Sequence, residues 1–166
     1  MKRLLAALVF FVIPALHAQD TVISRLVQHW QTSKAYTLAI AEQMPADSYG
    51  FKPNPAEMTF GEQLVHIAQV NGFFISKVAG TPSPVGKPET MDKATIVKFV
   101  GDSYDYAIKS IGSLTPEQLH AEVELEGQKM QGFEGLLLAA DHTTHHRAQC
   151  IVYLRVKGIK PADYRF

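Results

Sequence analysis

The sequence predicts an all-α protein, a four-helix bundle, and three observations support that class. Apolar residues recur at three- and four-residue steps in four separate stretches. Each stretch is bounded by residues that start or stop helices, and no repeating strand pattern competes with them. The composition permits it: 46% of the 166 residues are hydrophobic and nine are Phe, enough apolar material for one globular core.

The amino-terminal segment reads as a secretory signal peptide over residues 1–18. Lys2 and Arg3 precede an unbroken apolar run from Leu4 to Ile13, and Ala15-Leu16-His17-Ala18 precedes the polar Gln19-Asp20. Cleavage is expected after Ala18, with Ala15 as the alternative. An uncleaved anchor is disfavoured, because the apolar run of about ten residues is short against the roughly 20 a spanning helix needs. No Cys follows the run to carry a lipid. The mature domain is then 19–166, exported to the periplasm or secreted.

The first helix of that domain follows Val22, Leu26, Ser33, Thr37, Ile40 and Met44, widened by Ile23, Val27 and Trp30, and Pro45 ends it. Pro53 and Pro55 keep the next segment open. Thr59-Phe60-Gly61-Glu62 has the form of a capping box, so a second helix starts at Phe60. Its apolar set is Phe60, Leu64, Ile67, Ala68, Ile75 and Val78, with Val70 and Phe73 extending burial to another face. Gly80, Pro82 and Pro84 stop it. Asp92 caps a third helix carrying Val97, Val100, Tyr104, Ala107, Ile108 and Ile111, which ends near Gly112. Thr115-Pro116-Glu117 starts one short helical turn, and the alternation at Val123-Glu124-Leu125 before Gly127 reads as extended chain. The last helix spans about Phe133 to Lys157, closed by Gly158 and Pro161. Short loops favour antiparallel neighbours, while the two Pro-rich connections are long enough for a crossover.

Charge and cysteine content narrow the function. Sixteen Lys and Arg balance 16 Asp and Glu, which leaves no cationic surplus for coating nucleic acid. Cys150 is the single cysteine, so an internal disulfide framework and a Cys-rich zinc ribbon are both excluded. A metal site must draw on His or carboxylates.

The last helix contains Asp141-His142-Thr143-Thr144-His145-His146-Arg147-Ala148-Gln149. His142 and His146 are one helical turn apart and share a face, flanked by Leu138, Gln149 and Tyr153. His145 is rotated about 100° away, either towards solvent or behind the ligands, outside direct contact with an ion. Two ligands do not make a site, and the third candidate is His66, set among Leu64, Val65, Ile67 and Ala68. A lone histidine in such a setting is more often a hydrogen-bonded core residue than a ligand. The pair on the last helix shifts that balance, because three imidazoles from two helices would bind a divalent first-row ion and leave positions open. A zinc-protease motif is ruled out, since Thr143 stands where His-Glu-x-x-His has its glutamate. His29 and His120 have no spacing that recruits them and are expected at the surface.

A histidine within Phe60-Gly61-Glu62-Gln63-Leu64-Val65-His66-Ile67-Ala68, followed far downstream by His-x-x-x-His-Arg, resembles the DinB-like superfamily of small helical-bundle metalloproteins. The resemblance extends to the early His29-Trp30 helix and the Tyr49-Gly50-Phe51-Lys52-Pro53 segment. It departs at Ala148, where the family commonly has Gly. It implies that His66, His142 and His146 match the family's metal ligands, with nickel or zinc as the usual occupant, in a four-helix bundle that is often a homodimer. It also implies a metal that activates a low-molecular-weight thiol, as in the family's S-transferases. An oxidising exported compartment is poor in such thiols, so a metal-dependent hydrolase competes with a thiol-dependent transferase. The alternative from another class is a non-enzymatic metal- or ligand-binding bundle. A small-molecule substrate is expected, with neither nucleic acid nor a stable membrane anchor. Its cavity is expected near the ligands, with Gln149, Tyr153, Val70 and Phe73 as candidate walls and none of them assigned a catalytic role.

Overall fold

The computed structural model describes residues 12–165, with side chains from residue 22 onward. The expected cleavage segment 1–18 therefore has no described side chain, and its first eleven residues lie outside the described ones. Five helices and one hairpin follow in order: α1 (Val12–Gln43), α2 (Phe60–Ala79), α3 (Lys93–Gly112), α4 (Pro116–His120), β1 (Glu122–Leu125), β2 (Gln128–Gln131) and α5 (Gly132–Val156). A 3₁₀ turn at Ala46–Ser48 lies between α1 and α2. Among the described residues, no helix is long and apolar enough to cross a membrane.

The helix boundaries follow local chemistry. Thr59 Oγ1 accepts from the Glu62 amide while the Glu62 carboxylate accepts from the Thr59 amide, which satisfies two free donors at the start of α2. Gly80, at φ +68°, closes the same helix in the left-handed region. Asp92 accepts from the Thr95 amide to open α3, and Thr115 with Gln118 forms a second capping box at α4.

Four long helices surround the core, with α3 lying between α1 and α2, and α5 packed on α2. Val27, Lys34 and Glu42 of α1 meet Gly112, Asp105 and Lys93 of α3, so those two helices run antiparallel. His66 and Val78 of α2 meet His142 and Gly135 of α5, also antiparallel. Gly61 near the start of α2 lies against Ile96 near the start of α3. Those two neighbours are therefore parallel, and residues 80–92 must return along α2. A 20-residue helix is about 30 Å long, and thirteen extended residues reach about 40 Å, so the Pro-rich segment suffices. The crossover packs closely: a Cβ on Gly72 would lie 2.7 Å from both Ser83 Oγ and Val85 Cβ. Gln69 Nε2 donates to Gly86 O at 2.9 Å and fixes the segment further along.

The core unites Trp30, Ile40 and Met44 of α1 with Phe60, Leu64 and Ile67 of α2, Val100 and Ile111 of α3, and Leu136 and Leu154 of α5. Two expectations are corrected. Phe73 is 40% exposed, with Lys77 Nζ over its ring; α2 is buried on a second side by Val65 and Phe74 instead. Val22 is exposed because α1 overhangs α3, whose last residue Gly112 already lies against Val27. The extended chain after α4 pairs with a second strand, Val123 opposite Met130, through a two-residue turn in which Glu126 and Gly127 both have positive φ.

Candidate metal centre

The geometry begins with two helical repeats. His142 and His146 project from one face of α5, and antiparallel packing brings the middle of α2 opposite them, which places His66 between the pair. Ring centroids are 4.8 Å apart for His66–His142, 4.5 Å for His66–His146 and 4.4 Å for His142–His146. One nitrogen from each ring lies within 4.8 Å of the others. Among the described residues, no carboxylate or thiol joins this group.

His142 Nε2 and His66 Nε2 face each other at 3.1 Å. Two ligand atoms each about 2.1 Å from one ion, at angles between octahedral and tetrahedral, would be about 3.0 to 3.4 Å apart. The two imidazoles therefore sit at the separation of neighbouring ligands before any adjustment. Burial disfavours the protonated form of all three rings. It pushes His142 down to about 4, and repulsion from a protonated His66 or His145 adds to this; His146 is pushed to about 4 by burial, with the same repulsion from His142, His66 or His145. His66 is lowered by burial alone. Neutral imidazole is the ligating form.

A directional hydrogen-bond chain sets the tautomer of His146. Tyr153 donates its hydroxyl proton to Met58 O at 2.8 Å, so its oxygen accepts from Gln63 Nε2 at 3.3 Å. The Gln63 amide is thereby oriented with Oε1 towards His146 Nδ1, at 2.6 Å. Nδ1 carries the proton, and the Nε2 lone pair is left for the centre. His142 Nδ1 is buried with no hydrogen-bond partner among the described residues. Beside it in sequence, Thr143 Oγ1 donates to Asn71 Oδ1 and locks α5 to α2 below the histidines.

A cavity of about 660 Å³ opens beside His66, walled by the 52–58 loop and by Lys87, Pro88 and Met91 of the crossover. Both walls are tied to α2 and α5, through Gln69 to Gly86 and through Tyr153 to Met58. Glu62 lines the cavity, yet its carboxylate is engaged by the Thr59 backbone and hydroxyl, which hold it below the usual range. Gln149, Tyr153, Val70 and Phe73, the expected cavity residues, do not line it. That expectation followed the α2 and α5 faces next to the histidine pair, whereas the cavity lies between another part of α2, at Glu62, Val65, His66 and Gln69, and the two loop segments.

Of the other described histidines, His145 sits edge-on to His146 with ring centroids 4.9 Å apart but outside the nitrogen cluster, while His29 and His120 lie elsewhere. His145, His29 and His120 are exposed, His29 edge-on to Trp30. Leu138 is 38% exposed. Gln63 was not singled out in the sequence, although it stands three residues before His66 and therefore on the same face of an otherwise apolar stretch.

A model of the DinB superfamily matches residues 29–150, which spans all three histidines. The chain belongs to the DinB superfamily. It is 27% identical over 139 residues to the uncharacterized protein YjoA of Bacillus subtilis strain 168, covering 81% of this chain and 90% of YjoA. The crystal structure of that DinB-like protein superposes with a TM-score of 0.73 over 85% of this chain and 97% of its own. A DinB-like protein from Bacillus cereus ATCC 10987 shares the fold, with a TM-score of 0.69, 20% identity and coverage of 84% and 95%. Ala148 is exposed on α5.

Proposed function

We propose that this DinB-like chain holds a divalent first-row metal ion, nickel or zinc, on His66, His142 and His146. In this reading it acts as an exported metal-dependent hydrolase or thiol-dependent transferase on a small molecule. The observation that carries the reading is the facing of His142 Nε2 and His66 Nε2 at 3.1 Å, with the third imidazole oriented by Gln63. When bound, such an ion supplies Lewis acidity, polarising a carbonyl or lowering the pKa of a thiol or water.

The chain's own residues contribute position and access. Gln63 fixes His146, the apolar neighbours of His66 keep water from the inner side, and the loop and crossover walls hold a substrate-sized space next to His66. Three neutral ligands add no negative charge, so the ion's full charge would act on whatever enters that space. An open cavity beside an incomplete ligand set favours this enzyme reading over a bundle that merely stores metal or ligand. A homodimer, expected from the family, belongs to the same proposal.

Elemental analysis of the protein purified without chelators tests the reading, followed by hydrolase and thiol-transferase screens with and without added nickel or zinc. One equivalent of metal and metal-restored turnover are expected. Less than a tenth of an equivalent of any first-row metal after incubation and desalting would overturn it. Amino-terminal sequencing from the native host tests export, with Gln19 as the expected first residue.

A further inference from the structure

We propose a second ligand site, on the opposite side of α5, that takes a small organic anion: a carboxylate carried on an apolar body. Its base is Arg147. One residue past His146, the helical turn of about 100° directs this side chain away from α2 and towards α1. Arg147 is only 6% exposed. Its Nη1 donates to Ser33 Oγ at 2.9 Å and to Thr37 Oγ1 at 3.3 Å, and its Nη2 to Thr144 Oγ1 at 3.4 Å. The guanidinium carbon lies 5.0 Å from the centre of the Tyr36 ring.

Every one of these partners is neutral. Ser33 and Thr37 are moreover already engaged with the Tyr104 hydroxyl, at 3.0 and 2.8 Å. Among the described residues, no carboxylate lies within ion-pairing distance of Arg147. A buried guanidinium without an anion is the uncommon case, because a desolvated charge is normally paired.

Beside it lies a cavity of about 550 Å³, to which Arg155 and Lys160 add two more cations. Asp163 is the single acid on its wall, 4.0 Å from Lys160 and 96% exposed at the rim. The cavity has a built wall. Gln43 clamps the carboxy-terminal tail with both ends of its amide: Nε2 donates to Lys160 O at 3.0 Å, and Oε1 accepts from the Ala162 amide at 2.7 Å. Tyr36, Ile151 and Val152 supply an apolar side. A guanidinium's planar fork matches a carboxylate in two parallel hydrogen bonds, and the apolar side suits a hydrocarbon or ring attached to it.

Calorimetric titration of the metal-loaded protein with benzoate, at constant ionic strength with chloride as background anion, tests the site. Saturable one-to-one binding is expected. Arg155→Gln, at an exposed position, is expected to weaken it several-fold with metal content and melting temperature unchanged. Arg147→Lys, which keeps charge but loses the fork, is expected to weaken it about tenfold. Inorganic phosphate is expected to bind more weakly than benzoate. Absence of saturation, equal affinity in Arg155→Gln, or phosphate binding as tight as benzoate would each overturn the assignment. Binding abolished by chelation of the metal would overturn it too, since that result places the anion at the histidines and leaves the proposal of a metal centre intact.

Discussion

Gln63 Oε1 lies 2.6 Å from His146 Nδ1, and that contact gives the histidine cluster a defined donor direction. Because the Gln63 amide is itself oriented by Tyr153, the contact is directional and not merely close. Gln63→Leu removes the acceptor and leaves Nδ1–H without a partner. Outer-shell changes of this kind lower metal affinity about 10- to 100-fold. Competition against a chromophoric chelator is expected to show that loss, with Gln63→Glu, which keeps an acceptor, much less affected. Equal affinity for wild type and Gln63→Leu would remove Gln63 from the centre.

His66, His142 and His146 are expected to be individually necessary for stoichiometric metal. His66→Ala, His142→Ala and His146→Ala should each lower bound metal well below one equivalent by elemental analysis. His145→Ala and His29→Ala, both exposed and outside the cluster, should retain it.

The metal-free protein is expected to lose stability as pH falls. In the fold, burial and mutual charge hold His142 and His146 at about 4, below the 6.5 of an ordinary histidine. Between those values the unfolded chain binds more protons than the folded one, so stability is complete above about 6.5 and declines towards 4. Urea midpoints of chelator-treated protein at pH 7.5, 6 and 5 should fall in that order. The double variant His142→Gln with His146→Gln should show a flatter dependence, and equal slopes would contradict the assignment.

Much of this architecture was legible because caps are local. The Thr59-x-x-Glu62 box, the Asp92 cap and Gly80 each act within one turn, so their residues alone placed α2 and α3. His66, His142 and His146 were legible by helical period and by the family resemblance. The parallel course of α2 and α3 was not, because it depends on the path of residues 80–92, and Pro residues show only that the segment is not helical. The cavity walls were missed for the same reason: Met58, Lys87 and Met91 lie on segments without a period. The second hairpin strand, Gln128–Gln131, carries too few apolar residues to show alternation. Arg147 was visible in the motif, but its burial follows from α1 supplying Ser33 and Thr37, which no spacing within α5 reveals.

Gly72→Ala is expected to destabilise the protein and disturb the cavity. The new methyl would meet Val85 Cβ at 2.7 Å, a rigid part of the crossover that cannot move without the backbone. Overpacking of this kind costs about 1–3 kcal/mol. Chemical denaturation should show that loss. Gly101→Ala, with nothing within 4 Å of its new methyl, should be neutral or slightly stabilising as a helical Gly-to-Ala change.

Stripping the metal is expected to leave a folded bundle, and the reason lies in where the histidines sit. The buried core runs through Trp30, Ile40, Leu64, Ile67, Val100, Ile111, Leu136 and Leu154, and it is continuous without any of the three rings. The imidazoles are only partly buried, at one side of the α2–α5 contact, and Thr143 with Asn71 joins those helices independently. Metal binding then adds only its linkage energy, about 2.7 kcal/mol at a free concentration a hundred times the dissociation constant. For a chain of this size that corresponds to a melting shift of about 5–10 °C. Circular dichroism of the chelated protein should show unchanged helicity and a cooperative transition lowered by that amount. Complete unfolding on chelation would mean that the ion is a structural staple, in the manner of a zinc finger, and would count against a reactive centre.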